Sequence, residues 1–177
     1  MLLPIELLDF ICNQAIEKLY LPFTPLQQIA IIAHDSNRFP TQIQQVITAG
    51  EQLQITPAVR DFFIHTKATL HHHYGSTECQ DVTALDLTGN PMDWPILPSV
   101  GYAIDNIQTH ILDESFAPVE EGKVGELYIG GVGLARGYLN QPKLSAEKFI
   151  SPLPGTERLY RTCDYARYLP DGQIELL

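Results

Sequence analysis

The sequence predicts an α/β protein in which a partial parallel layer of helices and strands is followed by a mostly antiparallel, distorted barrel-like β subdomain. In the first half, apolar residues follow helical spacing and β-branched runs in alternation. A stretch rich in proline and glycine follows residue 85, and alternating apolar and polar runs dominate the remainder. We therefore expect two subdomains, residues 1–85 and residues 86–177.

Two helices are predicted near the start of the chain. Apolar residues recur at spacings of three and four through residues 5–19, and Pro4 suits the first turn of a helix. A second helix is predicted over residues 25–33, because Thr24 precedes a proline and Gln27 follows three positions later, as in a capping box. The first helix has one apolar face, which we expect it to bury.

Strands are predicted on either side of a third helix. The run "IQQVITAGE" at residues 43–51 is β-branched and bounded by a glycine, and "ATLHHHYG" at residues 68–75 enters a glycine turn. Between them, Thr56-Pro57 repeats the helix-start pattern ahead of an apolar face. Helices and strands in alternation form parallel sheets, and ligands gather beyond the carboxyl ends of such strands. Both "TAGE" and "HHYGSTE" lie at such ends.

The sequence pattern of the second half of the chain differs from that of the first half. The segment "LTGNPMDWPILPSVG" at residues 87–101 holds too many prolines for regular structure and is interpreted as a connection. Alternating runs follow at residues 106–113 and 125–131, and a short helix is predicted over residues 145–149. Near the end, Pro170-Asp171-Gly172 is typical of a hairpin turn. These features predict a mostly antiparallel β subdomain.

Composition excludes several classes of protein. The 11 basic and 21 acidic residues give a formal net charge of −10, and no run of Lys or Arg is present to follow a phosphate backbone, so we expect no nucleic-acid partner. Apolar runs fall short of the roughly 20 residues of a membrane helix, and we expect a cytoplasmic protein without a membrane partner. Cys12, Cys79 and Cys163 are widely spaced, which favours reduced thiols over a zinc site.

The sequence "HHHYGSTE" at residues 71–78 raises the question of a metal site. Adjacent residues on a strand point to opposite faces, so at most His71 and His73 share a side. No Asp, Glu or Cys at ligand spacing completes a set around them. We therefore do not predict that the histidines ligate a metal.

The second part of this stretch, "YGSTE", has the chemistry of an anion and cation site. Gly75 allows backbone N–H groups to turn inward, Ser76 and Thr77 offer hydroxyl donors, and Glu78 offers the hard oxygen that Mg²⁺ prefers. Together they suit a nucleotide phosphate and its metal. The alternative is an ordinary strand-to-helix turn with Ser76 as the N-cap, and these five residues leave both interpretations open.

Three longer motifs carry a resemblance. "HHYGSTE", "GELYIGGVGLARGYL" and "YRTCDYARYLPDGQIE" stand in the order and spacing of core motifs of the adenylate-forming (AMP-binding) superfamily. They most resemble the adenylation domains of nonribosomal peptide synthetases, and "VITAGEQL" resembles the adenine-side strand and turn of that family. The chain departs from the family where Cys163 replaces a usual glycine and Ser76 a usual proline. The first departure bears on the turn that presents Asp164.

The resemblance implies roles for individual residues. Thr77 would hydrogen-bond the α-phosphate of ATP, and Glu78 would coordinate Mg²⁺. Asp164 would accept both ribose hydroxyls, for which a carboxylate with two oxygens is well shaped. The remaining nucleotide positions would be Gly50, His72, Tyr74, Gly75 and Ser76, with Gly50 and Tyr74 flanking the adenine and His72 facing it.

The resemblance also places five residues on the wall of an acyl-substrate pocket, namely Ile47, Ala49, His73, Asp81 and Val82. Ordinary packing is the alternative for His73 and Val82, and a favourable contact with a helix dipole is the alternative for Asp81. "GELYIGGVGLARGYL" is interpreted as structural, with Arg136 and Gly137 holding the fold of the β subdomain.

The reaction implied by the resemblance joins a carboxylic acid to ATP. An amino acid or related carboxylic acid and ATP would give an acyl-adenylate and pyrophosphate, and the acyl group would then pass to a phosphopantetheinylated carrier protein. The phosphate loop and the lysine-bearing lid of the family have no counterpart in these residues, so we expect a middle fragment. Its partners would include the missing N-terminal subdomain and the C-terminal lid of the same enzyme. We expect negligible adenylation by this chain alone. The alternative is a non-catalytic nucleotide-binding or carrier-protein-docking module.

Overall fold

The computed structural model describes residues 3–152 and 157–177, and the chain divides into two compact units. The first unit comprises residues 1–73 and 85–98, and the second comprises residues 74–84 and 99–177. The division at residue 85 was drawn from sequence character and stays a prediction. The compact units differ from it because residues 74–84 belong with the second unit.

Three helices pack in the first unit: α1 spans Pro4–Asn13, α2 spans Phe23–Asp35 and α3 spans Pro57–Thr66. The start of α3 is as predicted, because the Thr56 side chain accepts a hydrogen bond from the backbone N–H of Val59 at 3.3 Å.

Two helix boundaries differ from the prediction. Helix α1 ends at Asn13 rather than continuing to residue 19, and Ala15 just beyond it has a left-handed backbone with φ of 50°. Helix α2 has Pro22 as its N-cap, so the capping box predicted at Thr24 is wrong. The N–H and hydroxyl of Thr24 instead donate to the carboxylate of Glu51, at 2.8 and 2.7 Å.

The predicted parallel layer is confirmed in the first unit. Strands β1 (Lys18–Tyr20), β2 (Gln45–Thr48) and β3 (Thr69–Ser76) are neighbours and pair in parallel. The helices cover this layer with an apolar core whose fully buried members include Leu26, Ile29, Val46, Phe62 and Leu70.

The proline-rich connection is largely irregular, as predicted, with one 3₁₀ turn at Pro91–Asp93. It is nevertheless packed. The ring of Trp94 lies 5.4 Å from that of Phe63, and its indole N–H donates to the carbonyl of Thr88 at 2.7 Å. The segment from residue 85 to 98 therefore belongs to the core of the first unit.

Strand β3 turns back into a second strand. Strand β4 spans Gln80–Leu87, is next to β3 in the sheet order and pairs antiparallel with the short β5, Tyr102–Ala103. The strand-to-helix alternative for "YGSTE" is therefore wrong. Gly75 is required at this turn, because a Cβ atom there would lie 1.7 Å from the carbonyl oxygen of Gln80.

The predicted antiparallel subdomain is confirmed as a curled sheet in the second unit. Its strand order is β10-β9-β7-β6, with β8 paired to β9. The elements are β6 (Ile107–Leu112), β7 (Gly125–Gly131), α4 (Pro142–Lys148), β8 (Phe149–Ile150), β9 (Leu159–Tyr168) and β10 (Ile174–Leu176). The predicted turn joins the last two strands, where Leu169 N–H donates to the Gln173 carbonyl at 2.8 Å.

One face of this sheet packs into the core of the second unit. The buried residues of that core include Val82 of β4 and, from the sheet, Ile111, Leu127, Ile129, Ala166 and Ile174. Across residues 3–152 and 157–177, no helix has the length and apolar character needed to cross a bilayer.

Candidate functional site

The turn between β3 and β4 is fixed from within. The hydroxyl of Ser76 accepts a hydrogen bond from the N–H of Glu78 at 3.3 Å and lies 3.2 Å from the sulfur of Cys79. Cys79 is buried in the core of the second unit and anchors the turn there. Thr77 is exposed at the tip and Glu78 is half-buried. The turn thus presents a hydroxyl and a carboxylate on an anchored support.

The carboxylate of Glu78 is held by a phenol. Tyr138, 60 residues further along the chain, donates its hydroxyl to Oε1 of Glu78 at 2.6 Å. This bond lowers the pKa of Glu78 below its usual value, against the opposing effect of burial. The same bond raises the pKa of Tyr138. Glu78 is therefore an anion at neutral pH.

Asp164 lies beside the start of the same hairpin. Tyr74 donates its hydroxyl to Oδ2 of Asp164 at 2.5 Å, across 90 residues of sequence. Burial and this bond together raise the pKa of Tyr74, which keeps it a donor at all ordinary pH values. The backbone N–H of Asp164 donates to the hydroxyl of Thr162 at 2.9 Å. The second unit thus brings the predicted phosphate turn and the predicted ribose carboxylate together.

Strand β9 supplies one side of this site through alternate residues. Tyr160 interacts with Glu78 and with the hydroxyl of Tyr138, while Thr162 interacts with Tyr74. Asp164 completes the series. The register of β9 with β7 shifts between Glu126 and Tyr128, and Cys163 has φ of 67°, so this stretch is bulged. The contacts themselves, rather than regular alternation, place these three side chains at the hairpin.

The opposite face of β9 has different chemistry. Arg161 donates to both carboxylate oxygens of Glu126, at 2.7 and 3.0 Å, and Tyr128 donates to the same carboxylate at 3.0 Å. Burial and this carboxylate raise the pKa of Tyr128 to about 12. Burial acts to raise the pKa of Glu126, but the bonds from Arg161 and Tyr128 bring it below its usual value. Cys163 receives a hydrogen bond from the Lys148 ammonium at 2.8 Å.

The residue set fits Mg²⁺ shared with a ligand. Magnesium is commonly held by one or two carboxylates together with phosphate oxygens and waters. Glu78 supplies an anionic oxygen, and among the described residues it has no ion-pair partner. In the described part of the chain, no three His, Cys, Asp or Glu side chains converge as an all-protein metal site.

The other predicted residues near "HHH" and "TAGE" lie in the first unit. Ile47 is on β2, while Ala49 and Gly50 follow its carboxyl end; Gly50 is exposed with φ of 81°. His72 is buried on β3 and His73 is half-buried beside it. His72 is the register partner of Thr48, the last residue of β2, so His72 and His73 lie where the parallel pairing of β2 with β3 ends.

The last two predicted pocket residues lie on β4. Val82 is fully buried in the core of the second unit, which is the packing position that the sequence left open. Asp81 is half-buried on the strand. The helix-dipole interpretation of Asp81 is wrong, because no helix begins there.

Sequence reasoning missed Tyr138, Tyr160 and Thr162. Tyr138 lies in the motif interpreted as structural, and nothing in its local sequence indicates a partner 60 residues away. Tyr160 and Thr162 precede Asp164 by four and two residues, a spacing that would have indicated a shared face only if a strand had been predicted over residues 160–164.

Comparison with known proteins places these motifs in a wider context. A family profile described as AMP-binding enzyme matches residues 4–139. The chain is 42% identical over 174 residues to gramicidin S synthase 2 of Brevibacillus brevis, covering 97% of the chain and 4% of that protein. It is 42% identical over 173 residues to tyrocidine synthase 2 of Brevibacillus parabrevis, covering 97% of the chain and 5% of that protein. The chain therefore spans a small fraction of the length of these relatives.

A solved structure has the same fold. The nonribosomal peptide synthetase FmoA3 superposes with a TM-score of 0.90 and 23% sequence identity, covering 99% of this chain and 19% of that one. The AMPPNP-bound form of FmoA3 superposes with a TM-score of 0.88 and the same identity and coverage.

Proposed function

Because the chain belongs to the AMP-binding enzyme family, we propose that its second unit carries the ribose, phosphate and magnesium contacts of an adenylation site. One observation carries this proposal. The hairpin with Thr77 and Glu78 and the carboxylate of Asp164 occur together in one compact unit, joined by the bond from Tyr74 to Asp164 at 2.5 Å.

The proposed reaction is the activation of an amino acid or related carboxylic acid in nonribosomal peptide synthesis. The substrate carboxylate attacks the α-phosphorus of ATP, forming an acyl-adenylate and releasing pyrophosphate. The thiol of a phosphopantetheinylated carrier protein then attacks the acyl carbon, forming a thioester and releasing AMP. The similarity to gramicidin S synthase 2 and tyrocidine synthase 2 supports a role in such a synthesis.

The described residues of the second unit would bind and orient the nucleotide. Asp164 accepts the two ribose hydroxyls, and its orientation is fixed by Tyr74 and by Thr162. Thr77 donates to the α-phosphate from the exposed tip of the hairpin. Glu78 would hold Mg²⁺, and the chemistry that the ion would supply is neutralisation of phosphate charge.

Residues near the carboxyl end of β2 and on β3, in the first unit, are assigned separately on the family motifs alone. We assign Gly50 and His72 to the base, and Ile47, Ala49 and His73 to the acyl substrate, on the basis of the family motifs. On β4, Asp81 is assigned to the acyl side. Val82 is assigned to support that wall from within the core, since its side chain is fully buried.

The proposal is tested by nucleotide binding to the 177-residue chain. Calorimetric titration with MgATP should show weak binding that Asp164→Ala abolishes, because that substitution removes both ribose acceptors. Asp105→Ala is the matched control: Asp105 is an exposed aspartate of the same unit. Binding that survives Asp164→Ala, or that Asp105→Ala weakens equally, would contradict the proposal.

A second measurement distinguishes the proposed function from the alternative, a non-catalytic module that docks a carrier protein. If the chain binds a phosphopantetheinylated carrier protein and shows no Asp164-dependent nucleotide binding, it is a docking module instead. Pyrophosphate exchange by the chain should be negligible, since loss of one charge-stabilising donor alone costs on the order of 10²–10³ in rate. Exchange at the rate of a complete adenylation domain would contradict that expectation.

A further inference from the structure

Tyr138 and its segment hold Glu78 at two points. The Tyr138 hydroxyl donates to Oε1 of Glu78 at 2.6 Å, and the backbone N–H of Ala135 donates to the Glu78 carbonyl at 2.7 Å. The first distance is in the range of a charge-assisted O–H···O⁻ bond, which is roughly twice as strong as a neutral one. Side chain and backbone of one glutamate are therefore fixed by residues 135–138.

The segment that provides these donors is itself braced. The N–H of Tyr138 donates to the Ser145 hydroxyl at 2.8 Å, and the Tyr138 ring packs edge-on against Phe149 at 5.7 Å. The guanidinium of Arg158 lies over the ring of Phe149, 4.3 Å from its centre. The same guanidinium donates to the carbonyl of Ala135 at 2.8 Å.

Gly137 allows this close packing. It has φ of 144°, and a Cβ atom there would lie 2.8 Å from the Ser145 hydroxyl. The motif that includes Gly137 was interpreted from the sequence as purely structural. Tyr138, in the second half of this motif, instead donates to Glu78, the side chain that the proposed function assigns to Mg²⁺.

The side chains that interact with Glu78 are hydrogen-bonding groups that carry no positive charge. Tyr138, Tyr160 and Ser76 interact with it, and within the described residues no Lys, Arg or His forms an ion pair with it. Hydrogen bonds from neutral donors orient a carboxylate and leave its charge uncompensated. That combination prepares an oxygen ligand for a cation.

We propose that Tyr138 is a positioning residue that orients the carboxylate of Glu78 for the Mg²⁺ of MgATP. This inference rests on the proposed function, since it assigns a role toward the cation of that same site. The reason is geometric: one phenol fixes one carboxylate oxygen and leaves the side chain restricted to a single orientation. Outer partners of this kind typically contribute a factor of 10–100 in metal affinity.

The first test needs neither metal nor nucleotide. Tyr138→Phe removes the hydroxyl and keeps the ring on Phe149. At a fixed pH of about 7, the ¹³C chemical shift of the Glu78 carboxylate should change in this variant, because the phenol that donates to Oε1 is gone. An unchanged chemical shift would overturn the inference without bearing on the proposed function.

The second test measures dependence on the cation. At fixed ATP, Tyr138→Phe should need about tenfold more Mg²⁺ for half-maximal binding. AMP binding without Mg²⁺ should equal that of the parent chain. Tyr128→Phe is the matched control, because Tyr128 donates to Glu126 in the same unit and should leave the Mg²⁺ requirement unchanged.

The outcomes separate this inference from the proposed function. Parent-like Mg²⁺ dependence in Tyr138→Phe, or an equal change in Tyr128→Phe, would overturn the positioning role while nucleotide binding stands. Absence of Asp164-dependent binding in the parent would overturn both. Should Tyr138→Phe fail to fold, Ser145→Ala removes the acceptor of the Tyr138 N–H, together with the hydroxyl's bonds to the carbonyls of Tyr138 and Gln141, and keeps the Tyr138 hydroxyl. It should shift the Mg²⁺ requirement in the same direction by a smaller factor.

Discussion

Two tyrosine–glutamate pairs in the second unit have the same chemistry and different surroundings. Tyr138 donates to Glu78 at 2.6 Å and Tyr128 donates to Glu126 at 3.0 Å. Glu126 also receives two hydrogen bonds from Arg161, which compensates its charge. Among the described residues, Glu78 has no such cation. The second pair is therefore complete as a structural contact, whereas the first has charge available for a ligand.

The largest expected effect comes from neutralising each glutamate in turn. Glu78→Gln should weaken Mg²⁺-dependent ATP binding by at least about tenfold, because it removes the anionic ligand while nearly preserving shape. Glu126→Gln should leave that binding unchanged. Calorimetric titration of both variants with MgATP checks the comparison. Equal losses in the two variants would show that the difference in their surroundings has no functional meaning.

Removing the cation from the second pair should come next in size. Arg161→Gln should lower the free energy of unfolding by about 1–2 kcal/mol, because it leaves a largely buried carboxylate without its charged partner. Glu126 has a side chain only 13% exposed. Arg167→Gln is the control, since its partner Glu175 is 35% exposed and a surface pair contributes less than about 1 kcal/mol. Urea denaturation of the two variants measures the difference, and a larger loss for Arg167→Gln would contradict it.

The stability of the protein at acidic pH should depend on the carboxylates of Glu78 and Glu126. The pKa of Glu78 is lowered chiefly by Tyr138, and that of Glu126 lies below its usual value through Arg161 and Tyr128 despite burial. Each therefore adds stability above the ordinary glutamate pKa of about 4.3, and this contribution is lost as pH falls through the lower folded-state pKa.

Melting temperatures measured from pH 7 down to pH 3 check this expectation. The parent should lose stability more steeply below about pH 4.3 than Glu78→Gln or Glu126→Gln does. Glu114→Gln, a substitution of an exposed glutamate, serves as the reference. Parallel curves for all four proteins would be inconsistent with lowered pKa values.

The smallest expected effect concerns the strand between the two pairs. Cys163 has φ of 67°, a left-handed conformation that costs a non-glycine residue about 1–2 kcal/mol. Cys163→Gly should raise the free energy of unfolding by about 0.5 kcal/mol, after the larger unfolded-state entropy of glycine is deducted. Cys163→Ala keeps the strain and should not stabilise the protein. Stabilisation by alanine equal to that by glycine would assign the effect to the thiol and its Lys148 contact.

The parts of the site that depend on residue type could be predicted from the sequence. Gly75, Thr77 and Glu78 indicate an anion and cation site because of what glycine, hydroxyl and carboxylate can do. Asp164 was assigned only through the family motifs, since an aspartate in a polar strand has no distinctive pattern of its own. The structure brings it to Tyr74 at 2.5 Å.

Contacts between distant segments could not be predicted. Tyr138 reaches Glu78 across 60 residues, and Glu51, from 27 residues away, accepts the Thr24 N–H that the Gln27 side chain was expected to accept. Periodicity also extended helix α1 too far, because a change to left-handed backbone at Ala15 leaves no mark on apolar spacing. In each case local pattern was overridden by tertiary structure.

The bulge in β9 has a consequence for how this strand tolerates length changes. Its register with β7 shifts between Glu126 and Tyr128, opposite residues 161–165 of β9, and Cys163 within that stretch has φ of 67°. A bulge takes up extra residues in one strand while the pairing on either side of it continues. An inserted or deleted residue at positions 162–164 should therefore leave the sheet intact and redirect the carboxylate of Asp164.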